Sequence, residues 1–179
     1  MKFSSDYKAH KKYLKITKSI ENKLKNIDSE TALEFLDWFD KKASYLKQSS
    51  QKSSYSPQPD DLKKGDIVWV EFGINVGTEL SDHNKKGHYA IVWAIDLGNV
   101  VVIPLSSKPV NNSKLSLDLG IIDELNQDNE MSHSYLKLDA IRSICKRRIN
   151  RMSKQENGKI SLDLQTINKI SNFMKDNFI

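Results

Sequence analysis

The chain has 179 residues, a formal charge of +5 and one cysteine, Cys145. That length suits one ordinary domain plus an appendage, and a lone cysteine cannot close an internal disulfide. No apolar run approaches the ~20 residues that span a bilayer, and Met1-Lys2-Phe3-Ser4-Ser5-Asp6 leads into no apolar signal segment, so a helical membrane protein is excluded and a cytoplasmic one expected.

Charge is unevenly spread. Residues 1–27 hold eight lysines against Asp6 and Glu21, and Arg142 to Lys154 holds six basic residues and no acid. Such a stripe suits a polyanion, or is simply a solvated surface. Residues 1–48 read as helical. Asp28-Ser29 ahead of Glu30-Thr31-Ala32 is an N-cap signal. Ala32, Leu36, Phe39, Ala43 and Leu46 then fall on one helical stripe. Upstream, Tyr13, Ile16, Ile20, Leu24 and Ile27 make a more basic one. Two helices in a hairpin, or one long bent helix, would bury these stripes against each other or a partner.

Residues 49–60, rich in Ser, Gln and Pro with Tyr55 as their apolar exception, read as a linker. Residues 61–179 change pattern. Ile67–Phe72, Tyr89–Ile95 and Val100–Ile103 are short, β-branched and aromatic, as buried strands are. Asp96-Leu97-Gly98-Asn99 supplies a turn. Leu115–Leu119 alternates as an edge strand does, and Tyr135–Leu138 and Ile141–Ile144 close the sheet. Behind the break at Gly158, Leu162, Leu164, Ile167, Ile170, Phe173 and Met174 have helical spacing. The expected class is α+β: a small, strongly curved sheet or barrel with a C-terminal helix.

Four blocks in order carry a resemblance. They are Lys64-Gly65-Asp66-Ile67-Val68-Trp69-Val70-Glu71-Phe72-Gly73 with Asn75-Val76-Gly77-Thr78-Glu79, then Gly87-His88-Tyr89-Ala90-Ile91-Val92-Trp93. Val102-Ile103-Pro104-Leu105-Ser106-Ser107-Lys108 and Ser134–Ile144 follow. Over roughly residues 62–150 the chain resembles the MazF/PemK toxin endoribonucleases. The resemblance implies an SH3-like barrel of the MazF/CcdB type, usually a homodimer, preceded by a helical extension foreign to the family core. It also implies metal-independent, sequence-specific cleavage of single-stranded RNA, chiefly mRNA, giving a 2′,3′-cyclic phosphate and a 5′-hydroxyl. The implied partner is an antitoxin. A non-catalytic CcdB-like toxin, or an RNA- or protein-binding module on the same barrel, is the alternative.

Cleaving an RNA phosphodiester without metal needs a base for the ribose 2′-OH, an acid for the departing 5′-oxygen, and groups that hold the charge building on phosphate. His88 stands where the family carries a catalytic Arg ahead of Pro; here the pair is His88-Tyr89. A free imidazole titrates near ~6.5 and both donates and accepts protons, which arginine hardly does. The other reading of His88 is a strand-edge histidine bonded to a loop. Ser106 falls at the family's catalytic Thr or Ser, with Ser107 and Lys108 adding a donor and a cation, although Ser-Ser-Lys also ends ordinary strands. Lys137 and Asp139, two apart, would share one strand face and match an Arg and Asp used by some members, or form a surface salt bridge.

Arg142 matches the family's near-signature Arg and would brace its strand or contribute electrostatically to phosphate binding. Lys146, Arg147, Arg148 and Arg151 would steer RNA, or line a solvated turn. Gly77 and Glu79 would shape the polar loop 73–87, in which Lys85 and Lys86 could meet RNA. His83 and His133 read as isolated and solvent-facing, and Trp38, Trp69 and Trp93 as core. No spacing suggests a metal site, and no cofactor is expected.

Overall fold

The structure, a computed structural model, describes residues 2–51, 58–83, 87–126 and 131–178. Half of the expected linker, residues 52–57 with Tyr55, together with Lys85 and Lys86, lies outside the described residues. Residues 1–42 and 43–179 form two compact units.

The first unit is helical. Helix α1 (Tyr7–Leu24) starts at Asp6, whose carboxylate accepts the Ala9 N–H at 3.0 Å. Helix α2 (Ser29–Ser50) starts behind Asp28, whose Oδ1 accepts the Thr31 N–H at 2.9 Å. That backbone hydrogen bond holds the Asp28 carboxyl below its ordinary range. Both caps satisfy amides that have no partner inside the first turn.

The expected α2 stripe is not the buried one. Leu36, Phe39 and Leu46 are 41%, 56% and 71% exposed, whereas Trp38 is buried. The more enclosed face runs through Glu34, Trp38, Tyr45 and Gln48. Trp38 and Tyr45 precede Phe39 and Leu46 by one residue, so the face is turned by about 100° from the expected one.

The second unit is built on an antiparallel sheet. Its strands are β1 (Asp66–Val70), β2 (His88–Asp96), β3 (Asn99–Ser106), β4 (Ser116–Ile121), β5 (His133–Lys137), β6 (Arg142–Cys145), β7 (Ile149–Asn150) and β8 (Ile160–Ser161). The main path runs β4-β5-β3-β2-β1-β7, with β6 on β3 and β8 on β1, and β4 is the edge strand expected. Strand β3 is the pivot. Its first half pairs with β6, Val100 opposite Ile144, and its last residues pair with β5, Ser106 opposite Tyr135. A 3₁₀ turn, Leu138–Ala140, carries the chain between these partners and bends the sheet. The two-residue turn between Asp96 and Asn99 holds Leu97 at φ +49°.

Both faces of the central strands are covered, which is why they read as continuous apolar runs. Alternation sends Val68, Val70, Val92 and Val102 into one cluster with Phe72, Ile144 and Ile149. It sends Ile67, Ile91, Ile103 and Leu136 into the other. Helix α3 (Leu164–Phe178) covers that second cluster with Ile170, Phe173 and Met174. Asp163 caps α3 by accepting the Thr166 N–H at 2.7 Å. Leu164, expected in the apolar stripe, instead opens the helix on its outer side at 71% exposure. Gly158 supplies the break at φ +71°, packed against the Arg151 side chain. The architecture is α+β, with a bent antiparallel sheet and a C-terminal helix.

Candidate active site

At the end where β2 begins and β3 ends, a cleft of about 420 Å³ opens between His88, Ser106, Lys108, His133, Trp69 and Leu125. The register explains this grouping. Ala90 faces Pro104, and His88 and Ser106 each lie two residues further toward the same end of the two strands. Ser106 in turn faces Tyr135, two residues from His133 on β5. Alternate residues share a face, so His88, Ser106, Tyr135 and His133 all belong to one side of the sheet.

His88 is held from behind. Its Nδ1 lies 2.8 Å from Oδ1 of Asp82, and the side chains are 28% and 8% exposed. A carboxylate can only accept, so Nδ1 carries the hydrogen, and in the neutral imidazole Nε2 is the nitrogen with the lone pair. Asp82 is itself fixed. Its Oδ2 accepts the Gly73 N–H at 2.6 Å, and its N–H donates to the Gly73 carbonyl at 3.0 Å. Asn75 locks the same loop, donating through Nδ2 to the Leu80 carbonyl at 2.6 Å. Within it Gly77 takes φ +60°, and the Glu79 N–H closes a turn onto the Val76 carbonyl at 3.2 Å. The expected long polar loop is thus a clasp whose last fixed carboxylate orients an imidazole.

Ser106 Oγ accepts the Lys108 N–H at 3.0 Å and donates to the Lys108 carbonyl at 3.1 Å, so it shapes the turn as well as facing the cleft. Ser107 and Lys108 are exposed there. His133 is exposed as expected but not isolated. Its Nδ1 lies 2.8 and 3.0 Å from the two carboxylate oxygens of Asp118 on β4, and its ring stacks on Tyr135. The His133 contact, joined by the Gly120 N–H, holds the Asp118 carboxyl below the usual carboxylate range.

Trp69 is not a core residue. It is half-buried, meets Tyr89 edge-on at 4.9 Å, and forms part of the cleft wall. A second cleft of about 350 Å³ shares Trp69, Tyr89 and Leu125 with the first and extends to Arg151 and Lys154. The two clefts meet at this aromatic wall. Trp93 does pack on the core, under the Lys64 ammonium.

Gly87 lets the chain enter β2 tight against Val70 and the Trp69 indole. A Cβ there would lie 2.5 Å from the Val70 carbonyl oxygen and 2.9 Å from the indole Nε1. Gly87→Ala is expected to destabilise the fold by about 1–3 kcal/mol, the usual cost of forcing extra volume into a packed site. Thermal unfolding, with Trp fluorescence reporting the indole, measures it.

Lys137, Asp139, Arg142, Lys146, Arg147 and Arg148 do not line the first cleft, and Arg151 lines the second. Lys137 Nζ pairs with Asp139 at 3.3 Å, but Asp139 sits in the 3₁₀ turn, so the two do not share a strand face as expected. Arg142 lays its guanidinium over the Phe72 ring at 5.2 Å, and Phe72 meets His88 edge-on. Arg148 donates through Nε to the Glu71 carbonyl at 2.7 Å and through its other arm to the Phe72 carbonyl. Burial pushes the Arg148 guanidinium below its ordinary range, and the neighbouring Arg142 cation pushes the same way. Lys146 and Arg147 share the 3₁₀ turn Lys146–Arg148. Arg151 is pinned to Asp60 at 2.8 Å and to the Glu156 carbonyl.

A bent antiparallel sheet with a C-terminal helix, and a polar cleft at its strand ends, defines a small MazF-like domain. The family model for PemK-like, MazF-like toxins of type II toxin–antitoxin systems matches residues 63–175. The chain belongs to this toxin family. A search of curated proteins gave no match. Among the described residues no helix is long and apolar enough to cross a membrane.

Proposed function

We propose that the chain is a metal-independent endoribonuclease that cuts single-stranded RNA. The observation that supports this reading most is the Asp82–His88 pair in a cleft that also holds Ser106 and Lys108. A buried carboxylate that fixes one imidazole nitrogen leaves the other as a general base toward the cleft, the arrangement used to take a proton from a hydroxyl. The Lys108 ammonium supplies positive charge for the phosphate oxygens, and the Ser106 hydroxyl can donate to them by turning from the Lys108 carbonyl. The Trp69–Tyr89 wall offers an aromatic edge where an unpaired base can stack, a contact worth ~1–3 kcal/mol. A double helix would keep its bases out of reach of that wall, so single-stranded RNA is the substrate this groove suits.

Attack by the ribose 2′-oxygen would leave a 2′,3′-cyclic phosphate and a 5′-hydroxyl. The protein partner is an antitoxin, and a homodimer of the barrel is the working assembly. The apolar stripe through Leu36, Phe39 and Leu46 gives either partner a surface on the extension.

The test is cleavage of a long single-stranded RNA by the full chain in EDTA, followed by mapping of the fragment ends. Cuts at discrete positions, with 5′-hydroxyl ends, are expected. RNA that stays intact while still bound would favour the binding-module alternative. Affinity should fall as salt rises, because cation–phosphate contacts release counterions. A salt-independent affinity would remove the basic groups from the RNA path.

A further inference from the structure

We propose that His133 is the general acid of the reaction and His88 its general base, so that two carboxylate-held histidines act across one phosphate. The inference rests on the endoribonuclease reading above. The two imidazoles share a design that neither the family match nor the sequence pattern assigns. Each belongs to a strand facing β3, and both line the same cleft. Each has Nδ1 against a carboxylate, Asp82 for His88 and Asp118 for His133. In each, Nε2 is the nitrogen left for substrate.

Their spacing suits a phosphodiester. From β2 across β3 to β5 is two inter-strand steps of about 4.8 Å, and His133 lies a further two residues, about 6.6 Å, along β5 from Tyr135. Backbones that far apart leave room for a phosphate between two imidazoles reaching inward, with Ser106 and Lys108 beside it. The order of roles follows from the aromatic wall. Trp69 and Tyr89 alternate onto the other sheet face from His88, but all three line the cleft at this end of the sheet, so a base stacked there brings its ribose round the strand end to His88. Its 2′-OH then meets His88, and the departing nucleotide continues toward Lys108 and His133.

The step balances. His88 Nε2 takes the 2′-OH proton as the 2′-oxygen bonds to phosphorus. The bond from phosphorus to the 5′-oxygen breaks, and that oxygen takes the proton from Nε2 of His133, which enters the step as the imidazolium and keeps its Nδ1 hydrogen on Asp118. The products are the cyclic phosphate and a 5′-hydroxyl, and solvent returns both histidines to their starting states. Neither an oxidant nor a co-reactant is needed.

The experiment first maps a cut site in a long RNA. It then compares two oligonucleotides spanning that site, one natural and one with sulfur replacing the bridging 5′-oxygen. A thiolate leaves without being protonated, so the second substrate needs no general acid. His133→Asn keeps an N–H donor for Asp118 but cannot give up a proton. It is expected to cut the natural RNA at least about 100-fold more slowly than the parent, the usual weight of one acid–base group, and to recover most of that loss on the sulfur substrate. His88→Ala is expected to stay slow on both. Recovery also reports that the variant is folded. His133→Asn cutting natural RNA at the parent rate, or staying equally slow on both substrates, overturns the assignment while leaving the nuclease reading intact. A parent protein that cuts no RNA overturns both.

Discussion

Replacing His88 by alanine is expected to slow RNA cleavage at least about 100-fold, the lower weight of one positioned acid–base group. The fold should survive, because the ring is held at the rim of the sheet by one hydrogen bond and an edge contact with Phe72. Asp82→Asn probes how the ring is held. The carboxylate accepts from both Gly73 N–H and His88 Nδ1. An asparagine has one acceptor oxygen and an amide that can only donate, so either the loop or the ring loses its partner. A loss of activity comparable to one misplaced catalytic group is expected, smaller than that of His88→Ala. In the double variant the Asp82 change should add nothing to the cleavage rate, since it acts through a ring no longer there. Full additivity of the two losses would show that Asp82 acts by a route other than the His88 ring. A His88→Ala protein that cuts RNA like the parent would remove the imidazole from the chemistry.

The central strands were legible because both faces are buried, and β-branched runs with sharp turns have few other uses. That same continuity hid the site. In Ile67-Val68-Trp69-Val70 all four residues read as core, yet Trp69 opens onto the groove. His88 and Ser106 became candidates through the family resemblance, and β2 and β3 bring them to one cleft. Asp82 left no readable trace. It is one acid in a polar loop, and its role exists only once Gly73 and His88 converge on it. His133 read as isolated because its partner, Asp118, is fifteen residues away on the neighbouring strand. Alternation on β4 could have found the pair if the register of β4 against β5 had been known, since Asp118 faces Tyr135 there. Lys137 and Asp139 show the reverse error: a spacing of two was read as one strand face, and the strand stops at Lys137. On α2 the periodic stripe is plain in the sequence, but Trp38, one residue off it, is the buried position.

The second large effect expected is on stability, at Arg148. In sequence it belongs to a basic run that reads as an RNA-steering surface. In the fold its guanidinium is spent on the Glu71 and Phe72 carbonyls, where the chain leaves β1 for the loop that ends at Asp82. Its own carbonyl accepts the Glu71 N–H at 3.0 Å, so one residue clamps both sides of this corner. Glu71 extends the corner further, its carboxylate accepting from the Asn150 amide at 2.9 Å and from the Tyr45 hydroxyl at the end of α2. Phe72 is buried, and its carbonyl has no easy route to water once the guanidinium is gone. A hydrogen bond to a charged group contributes roughly 1.5–3 kcal/mol, and truncation leaves two acceptors short. Arg148→Ala is therefore expected to cost about 3 kcal/mol, near 10 °C in Tm for a domain of this size. Arg148→Lys keeps the charge but not the planar fork, so it should recover only part of the loss. Arg147→Ser, which keeps the Arg148 clamp, should lower RNA affinity at low salt and cost less in Tm than Arg148→Ala. Calorimetry on the three variants, with RNA binding measured well below each Tm, separates the roles. If Arg148→Ala melts with the parent but binds RNA weakly, its guanidinium belongs to the RNA path and not to the clamp.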